Sequence, residues 1–185
     1  MSKVFVGGSR RMGRLNRDVR ERLDNIMKRS FTVLVGDANG VDKAVQKHFA
    51  DKCYGNVLVF CAGNSCRNNI GGWETKYVKA DRATKGYRFY MAKDLEMAQE
   101  ADYGFMIWDA RSAGTLSNIL ELLERGRKVL VYIGPGKYFV KLCGIEELQR
   151  ILTTCPDDAI ETFEVRFNLS SRIQSRPPYQ NQIFP

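Results

Sequence analysis

The sequence predicts an α/β fold of the Rossmann-like, doubly wound kind, with a mostly parallel sheet of five strands, or slightly more, and helices on both faces. Two observations carry this prediction. Short apolar, β-branched runs alternate with amphipathic stretches of roughly ten to fifteen residues, which is the pattern of a parallel sheet. Glycine-rich turns follow several of these runs, and ligands of open α/β sheets bind at such strand ends.

The predicted elements follow one another in alternation. Strands are predicted where apolar residues run together, at 4–6, 31–35, 56–60, 103–108 and 128–133. Helices are predicted where apolar residues recur every three or four positions, at 15–29, 41–52, 90–101, 116–125 and 144–153. An edge strand is predicted at 163–169. Residues 61–85 have no clean period and are expected to form a long irregular segment, which in compact domains is usually functional or mobile.

Length and hydropathy limit the domain organisation and the location. The 185 residues suffice for one well-cored domain, which we expect to span 1–169. Residues 170–185 contain a Pro-Pro pair and no periodic pattern, so an extended or disordered tail is expected. No run of eighteen apolar residues occurs, which argues against a membrane span. The first strand begins within a few residues of Met1 and leaves no room for a signal peptide, so we expect a cytoplasmic protein.

Cysteine usage and charge limit the chemistry. The five cysteines form no C-x-x-C pair and the chain has one histidine, so we expect reduced thiols and no metal site. A reactive thiol at Cys61 or Cys66 is the alternative. The formal charge of +8 is compatible with nucleic acid. It equally suits a small phosphorylated ligand, because many basic residues lie in candidate ligand loops.

Three glycine-rich strand ends carry the candidate ligand-binding residues. Arginine can hold a phosphate through paired hydrogen bonds, aspartate can accept from ribose hydroxyls, and a helix N-terminus favours an anion. For Asp42, a structural role at the start of a helix is the alternative. The candidates at these strand ends are Gly7, Gly8, Ser9, Arg10, Gly36, Asp37, Asn39, Asp42, Asp109, Arg111, Ser112, Gly114 and Thr115.

Four short segments also resemble the motifs of a known family. They are Gly-Ser-Arg at 8–10, Gly-Asp-Ala-Asn-Gly-Val-Asp at 36–42, Ala-Gly-Asn-Ser-Cys-Arg-Asn at 62–68 and Ser-Ala-Gly-Thr at 112–115. Together they resemble the SLOG superfamily, a Rossmann-like group that includes the LOG phosphoribohydrolases and the DNA-processing Smf proteins. The YpsA-related and YspA-like branch is the most similar. The resemblance covers roughly residues 3–133, and the third segment adds Asn64, Arg67 and Asn68 to the candidate ligand-binding residues.

The resemblance implies a nucleotide-derived ligand, such as an NAD or ADP-ribose derivative or a cyclic nucleotide. It also implies a role in sensing nucleotide signals during conflict between bacteria and phages. Beyond such a nucleotide-type ligand we expect no cofactor. Members of the superfamily commonly form dimers or larger assemblies, so a homo-oligomer is expected. By match of motif, the pocket would be lined by Gly8, Ser9, Arg10, Gly36, Asp42, Gly114 and Thr115.

One difference from the glycosidases of this superfamily bears on catalysis. Those enzymes carry P-G-G-x-G-T-x-x-E, and its glutamate belongs to the catalytic machinery, whereas the corresponding position here is Asn118. An amide cannot act as a carboxylate nucleophile or base. We therefore expect a protein that senses or sequesters its ligand without turnover. One alternative is an N-glycosidase, phosphoribohydrolase or ribosyl-transfer enzyme that uses Asp109, Asp42 or Glu121, and the other is a nucleic-acid-binding protein.

Overall fold

A seven-stranded sheet forms the centre of the molecule. The computed structural model describes residues 1–79 and 87–174. Its strands are β1 (Lys3–Gly8), β2 (Thr32–Gly36), β3 (Val57–Ala62), β4 (Thr75–Val78), β5 (Tyr103–Trp108), β6 (Lys128–Ile133) and β7 (Tyr138–Leu142). Their order is β4-β3-β2-β1-β5-β6-β7, and all neighbouring pairs are parallel except β6 with β7. The predicted Rossmann-like, mostly parallel α/β fold is confirmed.

Helices cover both faces of this sheet. They are α1 (Arg17–Lys28), α2 (Val41–Asp51), α3 (Tyr87–Glu100), α4 (Ala113–Glu124), α5 (Gln149–Leu152), α6 (Asp157–Phe167) and α7 (Leu169–Gln174). Helices α1 and α2 pack on the face that Val4 and Val6 of β1 present. The other helices pack on the face that Phe5 presents, because successive side chains of a strand point to opposite sides.

The sheet has a topological switch point between β1 and β5. From β1 the chain moves outward through β2 and β3 to β4, then returns to β5 on the other side of β1. The chain stays paired with β5 just past the end of β1, since the Ser9 N–H donates to the Ile107 carbonyl oxygen at 3.0 Å. A Cβ at Gly8 would overlap that same oxygen, so only glycine fits there. A crevice at the carboxyl ends of the strands is therefore expected at this position.

Several predicted elements need correction. Strands β4 and β7 were not expected, and β4 lies inside the segment 61–85, for which an irregular conformation was predicted. The helix predicted at 144–153 forms as a 3₁₀ turn (Ile145–Leu148) followed by α5.

The carboxyl-terminal part differs more strongly from the prediction. The edge strand predicted at 163–169 is wrong, because this stretch belongs to α6 and the start of α7. Buried Ala159 and Phe163 are four residues apart on one face of α6, and the Phe163 ring packs 6.0 Å from that of Trp108. Helix α7 covers 169–174, where an extended or disordered tail was expected, and residues 175–185 lie outside the described part of the chain.

The cysteines also differ from expectation. The prediction of reduced thiols is wrong for Cys61 and Cys66, which form a disulfide because the loop after β3 turns back beside the strand. Cys53, Cys143 and Cys155 are free. In the described part of the chain, no helix is both long enough and apolar enough to span a membrane.

Candidate functional site

A cleft of about 530 Å³ opens at the carboxyl ends of the central strands. Its walls come from the loops after β1, β2 and β5 and from α3, α4 and α6, and its size is typical of sites for small molecules. The sequence-predicted residues that line it are Gly8, Arg10, Asp42, Asp109, Arg111, Ser112, Gly114 and Thr115. The structure thus brings together candidates from all three glycine-rich strand ends.

The rim of the cleft is cationic. Arg10 and Arg11 are exposed on the loop after β1, and Arg111 is exposed on the loop after β5. The Arg111 guanidinium contacts the Asp158 carboxylate of α6 at 2.7 Å. Both side chains of this ion pair are exposed, so it stabilises the protein little and a phosphate can compete for the guanidinium.

A hydrogen-bond network holds the loop between β5 and α4. The Ser9 hydroxyl donates to Asp109 Oδ1 at 2.9 Å, and the same oxygen accepts from the N–H groups of Arg111 at 3.0 Å and Ser112 at 2.7 Å. The Ser112 hydroxyl then caps α4 by accepting from the Thr115 N–H. Because Asp109 Oδ1 accepts all three of these hydrogen bonds, the Asp109 side chain holds the loop between β5 and α4 in its conformation.

The floor of the cleft is a buried cluster of charges. Asp42 lies in the first turn of α2, and Lys93 of α3 lies near it beside Gly36; their exposed fractions are 7% and 3%. The Lys93 ammonium contacts the Asp94 carboxylate at 2.6 Å, and Asp42 Oδ2 accepts from the Ala38 N–H at 3.2 Å. Any side chain at Gly36 would start within 3 Å of both the Lys93 ammonium and Asp42 Oδ2. Gly36 therefore makes room for these two groups and does not itself line the cleft.

The two buried charges have raised pKa values. Burial raises the pKa of Asp42 to about 6; the nearby Lys93 opposes this, whereas the carboxylates of Asp94 and Asp37 reinforce it. Burial alone would lower the pKa of Lys93, but the carboxylates of Asp94, Asp42 and Asp37 outweigh it and raise that pKa. The three neighbouring carboxylates therefore keep the Lys93 ammonium charged. Asp42 shares the stabilising effect of this one ammonium with Asp94 and Asp37, so its own pKa stays raised.

Asp37, Asn39, Arg67 and Asn68 form a second network beside the cleft and do not line it. The Arg67 Nε and Nη2 groups donate to Asp37 at 3.0 Å and 2.6 Å, and the Arg67 N–H donates to the same carboxylate. Burial would raise the pKa of Asp37, but the hydrogen bonds from Arg67 outweigh it and lower that pKa. The Asn68 amide donates to the Asp37 carbonyl oxygen at 2.7 Å and to Asn39 Oδ1 at 3.2 Å. These four residues connect the loops after β2 and β3.

Tyr90 of α3 joins this network to the cleft. Its ring lies between two guanidinium groups, 4.2 Å from that of Arg67 and 5.3 Å from that of Arg10. Each contact is a cation–π interaction. Tyr90 also lines the cleft, so its ring connects Arg10 at the rim with the Asp37–Arg67 network.

The remaining candidates lie elsewhere. Ser9 is buried beneath the lining, Gly7 lies within β1, and Asn64 is exposed on the turn after β3. Glu121 faces away from the cleft and pairs with Arg125 at 3.4 Å, whereas Asn118 lines the cleft.

One group of side chains has the composition of a metal site. The ligand atoms of Asp37, Cys61 and Cys66 lie within 4.8 Å of one another. The sulfurs are bonded to each other and the carboxylate is held by Arg67, so this group has no free donor set.

Comparison with protein-family models gives no match, and neither does comparison with curated proteins. Among solved structures, the chain is similar to DNA processing protein A from Helicobacter pylori, which has been studied for its single-stranded DNA binding mode. The TM-score is 0.57 with 14% sequence identity, over 94% of this chain and 79% of that chain. The likeness is one of fold.

Several lining residues were not found from the sequence. They come from two helices that cover the cleft, and they are Tyr90, Lys93, Asp94, Asp158, Thr162 and Arg166. One signal was present for Lys93, because it precedes buried Met97 by four residues and so lies on the buried stripe of α3. For the residues of α6 no signal was present, since no helix was predicted there and an edge strand was expected at 163–169.

Proposed function

We propose that the protein binds a nucleotide-derived small molecule in the cleft and senses or sequesters it without turnover. The main support for this proposal is the arrangement of charge in one cavity, with arginines at the rim and a buried cluster of acids and a lysine at the floor. Arg10 and Arg111 would hold the phosphates, because a guanidinium pairs well with phosphate oxygens. An NAD or ADP-ribose derivative or a cyclic nucleotide fits this division of charge.

We also propose that the chain is a SLOG-type protein that senses nucleotide signals during conflict between bacteria and phages and forms a homo-oligomer. Two observations support the family assignment. The Gly-Ser-Arg and Gly-Asp-Ala-Asn-Gly-Val-Asp segments adjoin the cleft, and the similar solved structure is a DNA-processing protein, a class that this superfamily includes.

Binding without turnover is supported by the placement of the acids. Asn118 lies in the cleft where glycosidases of the superfamily have their glutamate, and Glu121 points elsewhere. Asp109 is engaged by backbone N–H groups and the Ser9 hydroxyl. Of the three acids that the hydrolase alternative could use, this leaves Asp42, which is buried and lines the cleft.

Nucleic-acid binding is the second candidate function. It is favoured by the likeness to DNA processing protein A and by the formal charge of +8. Binding of this kind would weaken steeply with salt, because each neutralised phosphate releases counterions, and it would discriminate little between sequences.

The first test is a thermal-shift screen against nucleotides, NAD, ADP-ribose and cyclic nucleotides, followed by chromatography of each ligand. A ligand at one hundred times its dissociation constant stabilises the fold by about 2.7 kcal/mol, which is readily detected. We expect a shift with the ligand recovered intact. Release of a free base would favour the hydrolase, and a shift with an oligonucleotide alone would favour the second candidate.

Substituting the rim arginines tests the location of the site. The double variant Arg10→Ala/Arg111→Ala is expected to lose the shift, because it removes both proposed phosphate contacts. The matched control is Arg14→Ala/Arg20→Ala, which removes the same charge from exposed positions outside the cleft. Equal loss in both variants would indicate a general charge effect and contradict a site in the cleft.

A further inference from the structure

The floor of the cleft has unused hydrogen-bonding capacity. Within residues 1–79 and 87–174, the hydrogen bond that Asp42 accepts goes to Oδ2, from the Ala38 N–H, and no described group donates to Oδ1. A carboxylate can accept about four hydrogen bonds. Asp42 is more than nine-tenths buried and its exposed remainder lines the cleft. Because Asp42 Oδ1 has no donor among the described groups and Asp42 lines the cleft, a bound ligand can donate a hydrogen bond to this oxygen.

The neighbouring ammonium supplies the opposite kind of group. Lys93 has three N–H donors, and one of them contacts Asp94. Because Asp42 Oδ2 and the Lys93 ammonium lie close to the same point beside Gly36, an acceptor-only group and a donor-only group are neighbours at the floor.

This pair of groups restricts what can bind there. A phosphate would be repelled by the carboxylates of Asp42 and Asp94, and a cation would be repelled by Lys93. A hydroxyl both donates and accepts, so two adjacent hydroxyls can serve Asp42 and Lys93 together.

We propose that the Asp42–Lys93 floor binds the 2′,3′-diol of a ribose, so that the cleft takes ribonucleotides in preference to 2′-deoxyribonucleotides. This inference rests on the proposed small-molecule function and makes the ligand class more specific. It also specifies the orientation of the bound ligand, with the sugar at the floor of the cleft and the phosphates at the arginine rim.

The test compares each of the four ribonucleoside diphosphates with its 2′-deoxy counterpart by isothermal titration calorimetry on the full chain. Losing one hydrogen bond to a charged group corresponds to a change in affinity of roughly ten- to one-hundred-fold. We expect the ribose form of whichever nucleotide binds to bind more tightly by that factor.

A matched pair of variants assigns this preference to the floor. Asp42→Asn keeps the shape of the side chain and removes its charge, and we expect the ratio of the two affinities to fall close to one. Asp51→Asn removes a carboxylate at the other end of α2, outside the cleft, and should keep the ratio of the unaltered protein. The comparison of ribose with deoxyribose in the unaltered protein decides the question even if Asp42→Asn does not fold.

The outcomes separate this inference from the function on which it rests. Equal binding of ribose and deoxyribose forms, including a preference that depends only on the base, would overturn the diol site and leave the small-molecule function standing. Binding of a deoxyoligonucleotide with no binding of any nucleotide would overturn both.

Discussion

Asp37 and Arg67 illustrate what a buried carboxylate needs in this fold. The side chain of Asp37 is 2% exposed, and Arg67 holds both of its oxygens. Removing the Arg67 side chain, which is 33% exposed, leaves the buried Asp37 carboxylate without its ion pair and with the Arg67 N–H as its remaining donor from this residue, a loss that costs about 1–3 kcal/mol. We therefore expect Arg67→Met to lower the free energy of unfolding by about 1–3 kcal/mol, measured by urea denaturation.

A neighbouring position provides the control for this substitution. Asn64 lies on the same connection after β3, is exposed like Arg67, and makes no side-chain hydrogen bond to any described residue, so Asn64→Ala should change stability by less than about 0.5 kcal/mol. A similarly small effect of Arg67→Met would mean that water reaches Asp37 and satisfies it.

At the scale of single elements, α1 depends on Asn16, the N-cap residue that precedes it. Asn16 Oδ1 caps the helix by accepting from the Val19 N–H at 2.9 Å, and the amide nitrogen donates to the Tyr132 hydroxyl. Loss of such a cap costs about 1 kcal/mol. We expect Asn16→Ala to destabilise the protein by at least this amount in chemical denaturation.

The same substitution inside the helix should have the opposite sign. Asn25 is exposed within α1, where alanine has the higher helix propensity, so Asn25→Ala is expected to be neutral or slightly stabilising. Equal destabilisation by the two variants would show that the cap contributes nothing specific.

Elements were predictable where their residues were uniformly apolar. Strands β5 and β6 were predicted with their observed bounds, since both are central and buried on two faces. Strands β4 and β7 lie at the two edges, where half or more of each strand is at least partly exposed, and their mixed composition hides them. Helix α6 was mistaken for a strand because Phe163, Val165 and Phe167 alternate with charged residues, although Phe163 alone of these three is fully buried.

At the scale of the whole molecule, stability should depend on pH through Asp42. Because its pKa is raised from 3.8 to about 6, the native state favours the protonated carboxyl. This contribution to stability is fully present below about pH 4 and is lost as the pH rises through about 6.

The Asp42→Asn variant isolates this contribution. Between pH 4 and pH 7 we expect the unfolding free energy of the unaltered protein to fall by about 2 kcal/mol relative to that of the variant. Denaturation curves of both proteins at several pH values measure the difference. A difference that stays flat, or that rises with pH, would show that Lys93 and solvent keep the Asp42 carboxylate ionised.

The candidate site could be predicted only in part from the sequence, because some of its residues follow local motifs and others are distant in the chain. The rim residues Arg10 and Arg111 follow strands directly, so a local motif indicates them. The floor needs Lys93, which lies more than fifty residues beyond Asp42 and comes near it because α3 packs against the strands that precede α2. The sequence around Lys93 therefore gives no sign of its burial, apart from its position on the apolar stripe of α3.

The placement of Asp42 and Lys93 links two parts of the fold. Helix α2 belongs to the layer on one face of the sheet and α3 to the layer on the other, and the two side chains lie near each other beside Gly36, at the end of β2. A molecule that hydrogen-bonds to both side chains would therefore connect the two layers. Binding would restrict the motion of both layers at once, without any rearrangement of the strands.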